Sequence, residues 1–198
     1  MKTILIVFCS YLIGSVPFAY IISKMLSRVD IRDEGSGNVG ATNVLRVVGF
    51  FPGVAVLLLD ILKGVLVIKI AQLFIGENFV YLVGLAVIVG HCWSPFLKFK
   101  GGKGVATTLG VLLAVEPGYL FYTVIVWLLV FLLFKIVSLA SIVSVLFLPL
   151  ALIFKGEVPW VLIFIALYSG IIIFRHKGNI VKLIRGEEQK IQFPRCSK

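Results

Sequence analysis

YLFYTVIVWLLVFLLFKIVSLASIVSVLFLPLALIFKGEVPWVLIFIALYSGIIIF, residues 119–174, carries charge only at Lys135, Lys155 and Glu157. Those residues divide it into three apolar runs, Tyr119 to Phe134, Ile136 to Phe154 and Val158 to Phe174. A helix needs about 20 apolar residues to cross the hydrocarbon of a bilayer. Each run is near that length, so the stretch reads as three successive transmembrane helices joined by short breaks.

Working outward, hydropathy marks four more runs: Thr3 to Ile22, Val47 to Ile75, Phe79 to Phe96 and Val105 to Val115. The second is long enough to tilt or to project from the bilayer. The fourth is short, which predicts that protein shields part of it from lipid. Gly76-Glu77-Asn78, Glu116-Pro117-Gly118 and Lys155-Gly156-Glu157 are turn signals between runs. Thr3 to Ile22 is long for the core of a signal peptide, and no A-x-A-like site closes it. It is read as a first transmembrane helix.

Composition agrees. Of 198 residues 60% are hydrophobic, and mean hydropathy is +1.11. A chain of this size has too much surface to hide that excess in one core, so lipid must be part of its solvent. The expected fold is an all-α integral membrane protein, a bundle of about seven transmembrane helices. Residues 1–198 are expected to form a single transmembrane domain, with motif segments 23–46, 97–104 and 175–198 on the cytoplasmic side. Cys9, Cys92 and Cys196 are scattered and odd in number, which predicts reduced thiols and no metal cluster.

The net charge of +10 is not read as a nucleic-acid footprint, because the cations lie in the breaks between apolar runs. Seven runs put alternate breaks on one side. One side then collects Lys24, Arg28, Arg32, Arg46, Lys98, Lys100, Lys103, Lys135, Arg175, Lys177, Lys182, Arg185, Lys190, Arg195 and Lys198. The other keeps Lys2 and Lys155, with Glu77, Glu116 and Glu157. Positive charge stays in the cytoplasm. The N-terminus is expected outside and the C-terminus inside.

The cytoplasmic breaks carry the chemistry. Gly35-Ser36-Gly37-Asn38-Val39-Gly40-Ala41-Thr42-Asn43-Val44-Leu45-Arg46 holds a formal G-x-G-x-x-G. A dinucleotide fold is excluded, since that motif works only within a βαβ unit. The glycines still let backbone N–H groups approach an anion closely. Ser36, Asn38, Thr42 and Asn43 add uncharged partners, and Arg46 can grip a phosphate with two N–H groups. The plainer alternative is a flexible loop with a helix cap. In the second break, Lys98-Phe99-Lys100-Gly101-Gly102-Lys103-Gly104 precedes a helix start. It is not a Walker A, but a helix N-terminus with free N–H groups binds phosphate. A basic headgroup anchor would explain Lys98 and Lys100 but not three glycines. After the last run comes Arg175-His176-Lys177-Gly178-Asn179-Ile180, ending at Gly186-Glu187-Glu188. His176 and Asn179 share a helix face; His176 is a candidate general acid or base, or a neutral donor to a phosphoryl or carbonyl oxygen, and a solvated basic tail is the competing reading.

Within the second run Asp60 and Lys63 are expected to face the bundle interior as a mutual ion pair, with a direct substrate role as the alternative. His91 reads as a packed or interfacial histidine. Ser138 and Ser141 line a polar cavity or cap their helix. No carboxylate cluster suggests a metal, and no G-x-S-x-G supplies a nucleophile. The His-x4-Asp of acyltransferases that use thioester donors is absent, since Phe96 and Val181 stand where the aspartate would follow each histidine.

Taken together, these segments resemble the bacterial acyl-phosphate:glycerol-3-phosphate acyltransferase family over almost the whole chain. Gly14 to Ala19 resembles its opening motif, Gly35 to Arg46 its first cytoplasmic motif and Asp60 to Gly64 a following one. Gly90 to Thr107 resembles the glycine-lysine motif, with Trp93-Ser94 a variation. His176 to Glu188 resembles the C-terminal motif. The resemblance implies transfer of an acyl group from long-chain acyl phosphate to the 1-hydroxyl of glycerol 3-phosphate at the bacterial inner membrane. Lysophosphatidic acid and phosphate would result, as the first step of phospholipid synthesis, without cofactor or metal. It implies that Ser36, Arg46, Lys103 and His176 form the catalytic group. Gly37, Asn38, Gly40, Thr42, Asn43, Gly101, Gly102, Gly104, Thr107, Ser141, Asn179 and Glu187 would contact substrate. The Lys103 loop would hold glycerol 3-phosphate, and Ser36, Asn38 and Arg46 the donor phosphate or the oxyanion. His176 would orient the nucleophile. Glu187 or Glu188 would hold the tail against a basic loop. The rivals are a transporter of phosphate esters or anions and a non-enzymatic lipid-headgroup binder.

Overall fold

The computed structural model describes residues 1–191; Arg195, Cys196 and Lys198 lie outside the described residues. Among the described residues there is no strand. The α-helices are α1 (Lys2–Ser15), α2 (Phe18–Ser27), α3 (Ala41–Val47), α4 (Phe50–Ile75), α5 (Val80–Cys92), α6 (Val105–Val115), α7 (Pro117–Phe134), α8 (Val137–Lys155), α9 (Pro159–Arg175) and α10 (Lys177–Ile184). By length and composition four runs can cross a membrane: Lys2–Ser27, Val80–Leu97, Pro117–Phe134 and Val137–Lys155. The pair α9 and α10, bent by 61° at His176, makes a fifth if it is counted as one span.

Two apolar runs of the sequence are broken by backbone chemistry. The first divides at Val16-Pro17, because proline has no N–H to continue the ladder. The carbonyls freed there find partners: Ser94 Oγ donates to Ser15 O at 2.6 Å, and Lys63 Nζ to Val16 O at 3.3 Å. The second divides between α3 and α4 at Gly49, whose φ of +130° favours glycine. Pro149 sits inside α8 without ending it. It cannot donate to Val145 O four residues back, and Ser169 Oγ from α9 takes that acceptor at 2.7 Å.

Small residues bring the central helices together. A methyl group on Gly14 of α1 would stand 2.2 Å from Val87 O of α5, and one on Gly90 would stand 2.1 Å from Tyr11 O. On the α4–α6 pair, Gly110 and Gly64 abut Ile61 O and Thr107 O in the same way. In lipid, helices associate through such close packing rather than through a hydrophobic drive. The short α6 is largely enclosed, with Thr107, Thr108, Gly110, Val111, Leu112 and Ala114 buried, as its length required. By contrast α7 buries only Tyr119 and Thr123 and turns Leu129, Leu132, Leu133 and Phe134 outward.

A main core gathers Val67, Ile88, Val111, Leu112, Ile165 and Tyr168. A smaller one of Ala19, Ile31, Val39, Val44, Val56 and Leu97 lies beneath the loop between α2 and α3. That second core seats both ends of the first glycine-rich segment.

Candidate active site

The loop from Arg28 to Gly40 is organised by the side-chain amide of Asn43. Its Oδ1 accepts the Ser36 N–H at 2.8 Å, and its Nδ2 donates to Ile31 O and Glu34 O at 3.1 and 2.9 Å. Asn43 is buried and has spent its amide on the loop. Asp30 pairs with the Arg32 guanidinium at 2.6 and 2.9 Å, which holds that carboxyl down at about 2. Arg32 in turn covers the Tyr20 ring. This scaffold places Ser36, Asn38, Gly40 and Thr42 along one wall of a cavity of about 380 Å³.

The second segment is templated by the end of α5. Gly102 N–H donates to His91 O at 3.0 Å and Gly101 N–H to Cys92 O at 3.2 Å. Their carbonyls accept from Arg175, Nε to Gly102 O at 2.9 Å and Nη2 to Gly101 O at 2.6 Å. A methyl group on Gly101 would stand 2.1 Å from His91 O. The sequence reading offers these glycines to a phosphate; in the structure they fill packing positions outside the cavity lining. Gly104, at φ +86°, turns the chain into α6. Between them Lys103 reaches the cavity, and its Nζ donates to Asn179 Oδ1 at 2.5 Å. Burial lowers the Lys103 ammonium to about 8. Glu188 opposes that shift, and Arg46, Arg175 and Lys182 add to it.

The third segment closes the site. His176 sits at the α9–α10 bend with Nδ1 2.7 Å from Ile172 O. That bond makes Nδ1 the donor and leaves Nε2 for a ligand. Glu188 Oε1 accepts from Asn179 Nδ2 and from Ser138 Oγ, each at 2.7 Å. Arg46 Nη1 donates to Gln189 Oε1 at 2.9 Å, and Ile191 N–H to Lys135 O at 2.8 Å. The tail thus joins α3, α8 and α10.

Of the residues expected from sequence, Ser36, Asn38, Gly40, Thr42, Asn43, Arg46, Lys103, Gly104, Ser141, His176 and Asn179 line one cavity. Gly37, Gly101, Gly102, Thr107 and Glu187 are outside its lining. Thr107 is buried, and its hydroxyl has no hydrogen-bond partner among the described residues. Glu187 is exposed, and its neighbour Glu188 turns inward. The cavity also includes Asp60, His91, Ser138, Lys182 and Gln189. Asp60, a charge inside an apolar run, and Ser138, paired with Ser141 as a possible polar lining, were the parts of this that the sequence hinted at. Its remaining wall is apolar: Leu57, Leu109, Val124, Trp127, Leu128 and Val137. Trp127 is anchored there by Nε1 donating to Ser141 Oγ at 3.1 Å. One chamber therefore joins a cationic end to a greasy wall.

The model of the family described as glycerol-3-phosphate acyltransferase matches residues 4–186. The chain belongs to the glycerol-3-phosphate acyltransferase family. Among its relatives, glycerol-3-phosphate acyltransferase 2 of Moorella thermoacetica is 45% identical, over 92% of this chain and 94% of its own. The glycerol-3-phosphate acyltransferase of Thermosipho melanesiensis is 46% identical over 96% and 93%. Two crystal structures of PlsY (YgiH), an integral membrane glycerol 3-phosphate acyltransferase, share the fold at 41% identity. Its glycerol 3-phosphate form gives a TM-score of 0.91 and its lysophosphatidic acid form 0.89. Each comparison covers 97% of this chain and 96% of the other. With its apolar helices, the chain is a multi-pass membrane protein of this family.

Proposed function

We propose that the chain transfers an acyl group from a long-chain acyl phosphate to the 1-hydroxyl of glycerol 3-phosphate, releasing lysophosphatidic acid and inorganic phosphate. The observation that carries this is the single cavity in which Arg46 and Lys103 share space with Leu57, Leu109, Val124 and Leu128. Both substrates are phosphates, and one has a fatty chain. Acyl phosphate is a mixed anhydride with a good leaving group, so no covalent enzyme intermediate is needed. The glycerol oxygen bonds to the acyl carbon, the bond from that carbon to the phosphate oxygen breaks, and the hydroxyl proton passes to a substrate phosphate oxygen. Positioning and fixed positive charge supply most of the rate. In this reading Lys103, with Asn179, holds the glycerol 3-phosphate phosphate. Ser36, Asn38 and Arg46 face the donor phosphate or the oxyanion, and His176 Nε2 orients the hydroxyl.

We also infer that α4 and α6 cross with the other spans, giving seven crossings with the N-terminus outside. The site then faces the cytoplasm across the bacterial inner membrane. The charge asymmetry supports this, and so does the convergence of the three motif segments at one end of the bundle.

The test uses purified protein in detergent with radiolabelled glycerol 3-phosphate. Palmitoyl phosphate and palmitoyl coenzyme A serve as parallel donors, with Lys103→Ala beside wild type. Labelled lysophosphatidic acid from the acyl phosphate alone, lost in the variant, is the expected result. Product from the thioester would overturn the donor assignment. Folded wild-type protein inactive with both donors would sink the enzyme reading, and uptake into sealed vesicles would then examine transport.

A further inference from the structure

Among the buried titratable groups that the proposed chemistry leaves unused, Asp60 and Lys63 of α4 and His91 of α5 form one cluster. The Asp60 and Lys63 side chains are each 3% exposed. Lys63 Nζ lies 2.7 Å from Asp60 Oδ1 in an ion pair. It also lies 2.9 Å from His91 Nδ1 and 3.3 Å from Val16 O. An ammonium has donors only, so the nitrogen facing it at 2.9 Å is the one with a lone pair. The other reading would have His91 Nδ1 donate to Asp60 Oδ1. That contact is 3.5 Å, too long for a hydrogen bond of consequence. His91 is therefore neutral, with its proton on Nε2.

Nε2 lies against the second glycine-rich turn. A methyl group on Gly102 would stand 2.2 Å from His91 Nε2 and 2.5 Å from Val39 O. The His91 carbonyl accepts the Gly102 N–H. Ring and carbonyl of one residue thus fix the backbone immediately before Lys103. On its far side His91 meets Lys63 of α4, which also reaches the helix break at Val16 O. Replacing a buried ion pair by apolar residues of similar volume is often neutral or stabilising, so stability does not by itself account for the cluster. The charged cluster instead supplies direction: its donor selects one histidine tautomer and one ring orientation.

We propose that Asp60 and Lys63 are positioning residues for the reaction, holding His91 as the neutral, Nε2-protonated ring that sets the Gly101–Lys103 turn and aims Lys103 at the substrate phosphate. This rests on the reading that the Lys103 loop holds glycerol 3-phosphate.

The test exploits the presence of just two histidines, His91 and His176. The full chain is labelled with ¹⁵N-histidine, purified in detergent, and its two rings are assigned with His176→Asn. Long-range ¹H–¹⁵N spectra separate the Nδ1–H, Nε2–H and imidazolium forms. His91 is expected as Nε2–H in wild type. A wild-type His91 found as Nδ1–H or imidazolium at neutral pH overturns the proposal, whatever the activity. The double variant Asp60→Asn/Lys63→Met removes both charges together, so neither is left buried alone. Its His91 is expected to populate both tautomers. Its KM for glycerol 3-phosphate should rise, by on the order of 100-fold, with a smaller change for the acyl donor. A folded double variant with unchanged KM for glycerol 3-phosphate refutes the positioning role. A merely structural role would lower the yield of active protein and leave KM alone. If the double variant does not fold, the wild-type spectrum decides. Failure of the acyltransferase reading appears separately, as a wild-type protein without product.

Discussion

Raising the pH should switch off glycerol 3-phosphate capture through Lys103 before it damages the protein. Burial brings this ammonium to about 8, well below the ordinary lysine value. A group with that pKa is about nine-tenths charged at pH 7 and about one-tenth charged at pH 9. The second ionisation of a phosphate monoester falls near pH 6, so the substrate is a dianion throughout that window. If charged Lys103 is required for capture, kcat/KM for glycerol 3-phosphate should fall roughly tenfold between pH 7 and 9. An unperturbed lysine would lose only a few per cent of its charge over the same range. Because kcat/KM reports the free enzyme and kcat the complex, bound phosphate should move the kcat profile to higher pH.

Stability moves in the opposite sense at this group. The folded chain gives up the Lys103 proton near pH 8, whereas the unfolded chain keeps it to the usual lysine range. Between those values the unfolded state binds more protons, so Lys103 makes unfolding harder as pH rises. Loss of activity above pH 8 at undiminished melting temperature is thus the expected signature. The assay is initial rate against glycerol 3-phosphate concentration from pH 6.5 to 9.5, with melting followed in parallel. Lys103→Arg serves as control, since guanidinium does not titrate there. Its profile should be flat at a lower level. A wild-type kcat/KM that stays level through pH 9.5 would refute the assignment of Lys103 to the phosphate.

Three more outcomes follow from the packing and the tail. Glu188→Ala removes the acceptor shared by Ser138 and Asn179 and should destabilise by about 1.5–3 kcal/mol for each charged hydrogen bond lost. Exposed Glu187→Ala should stay within about 0.5 kcal/mol; melting curves in detergent compare them, and equal effects would contradict the inward turn of Glu188. Gly110→Val sets a side chain 2.0 Å from Ile61 O and should cost about 1–3 kcal/mol or more. Gly170→Ala, with open space around it, should be neutral or slightly stabilising in the same thermal assay. Single cysteines at Lys24 and Lys155, in a background lacking the native thiols, should react with an impermeant maleimide in opposite ways. Lys155→Cys should label in intact cells and Lys24→Cys only after permeabilisation, and the reverse pattern would invert the proposed orientation.

Composition and hydropathy pattern were enough to identify the solvent and the material of the fold. Apolar runs such as Tyr119 to Phe134 have one stable form in lipid, a helix that satisfies its own backbone. That constraint is local, so it is legible residue by residue. The clustering of Arg46, Lys103 and His176 near run ends also marked where polar chemistry would gather. Tertiary structure alone decided which of those residues meet. Gly101 and Gly102 are indistinguishable from anion-binding glycines in sequence, yet here they seat a turn against His91 and give their carbonyls to Arg175. Asn43 reads as a substrate partner, and folding spends its amide on the loop that holds Ser36. Adjacent Glu187 and Glu188 are equivalent until the chain reverses after α10 and turns one toward Asn179. His91 joins Asp60 and Lys63 only because glycines let α1, α4, α5 and α6 approach closely. Burial and charge pairing depend on distances between residues far apart in the chain, and those distances are set by helix packing rather than by any local pattern.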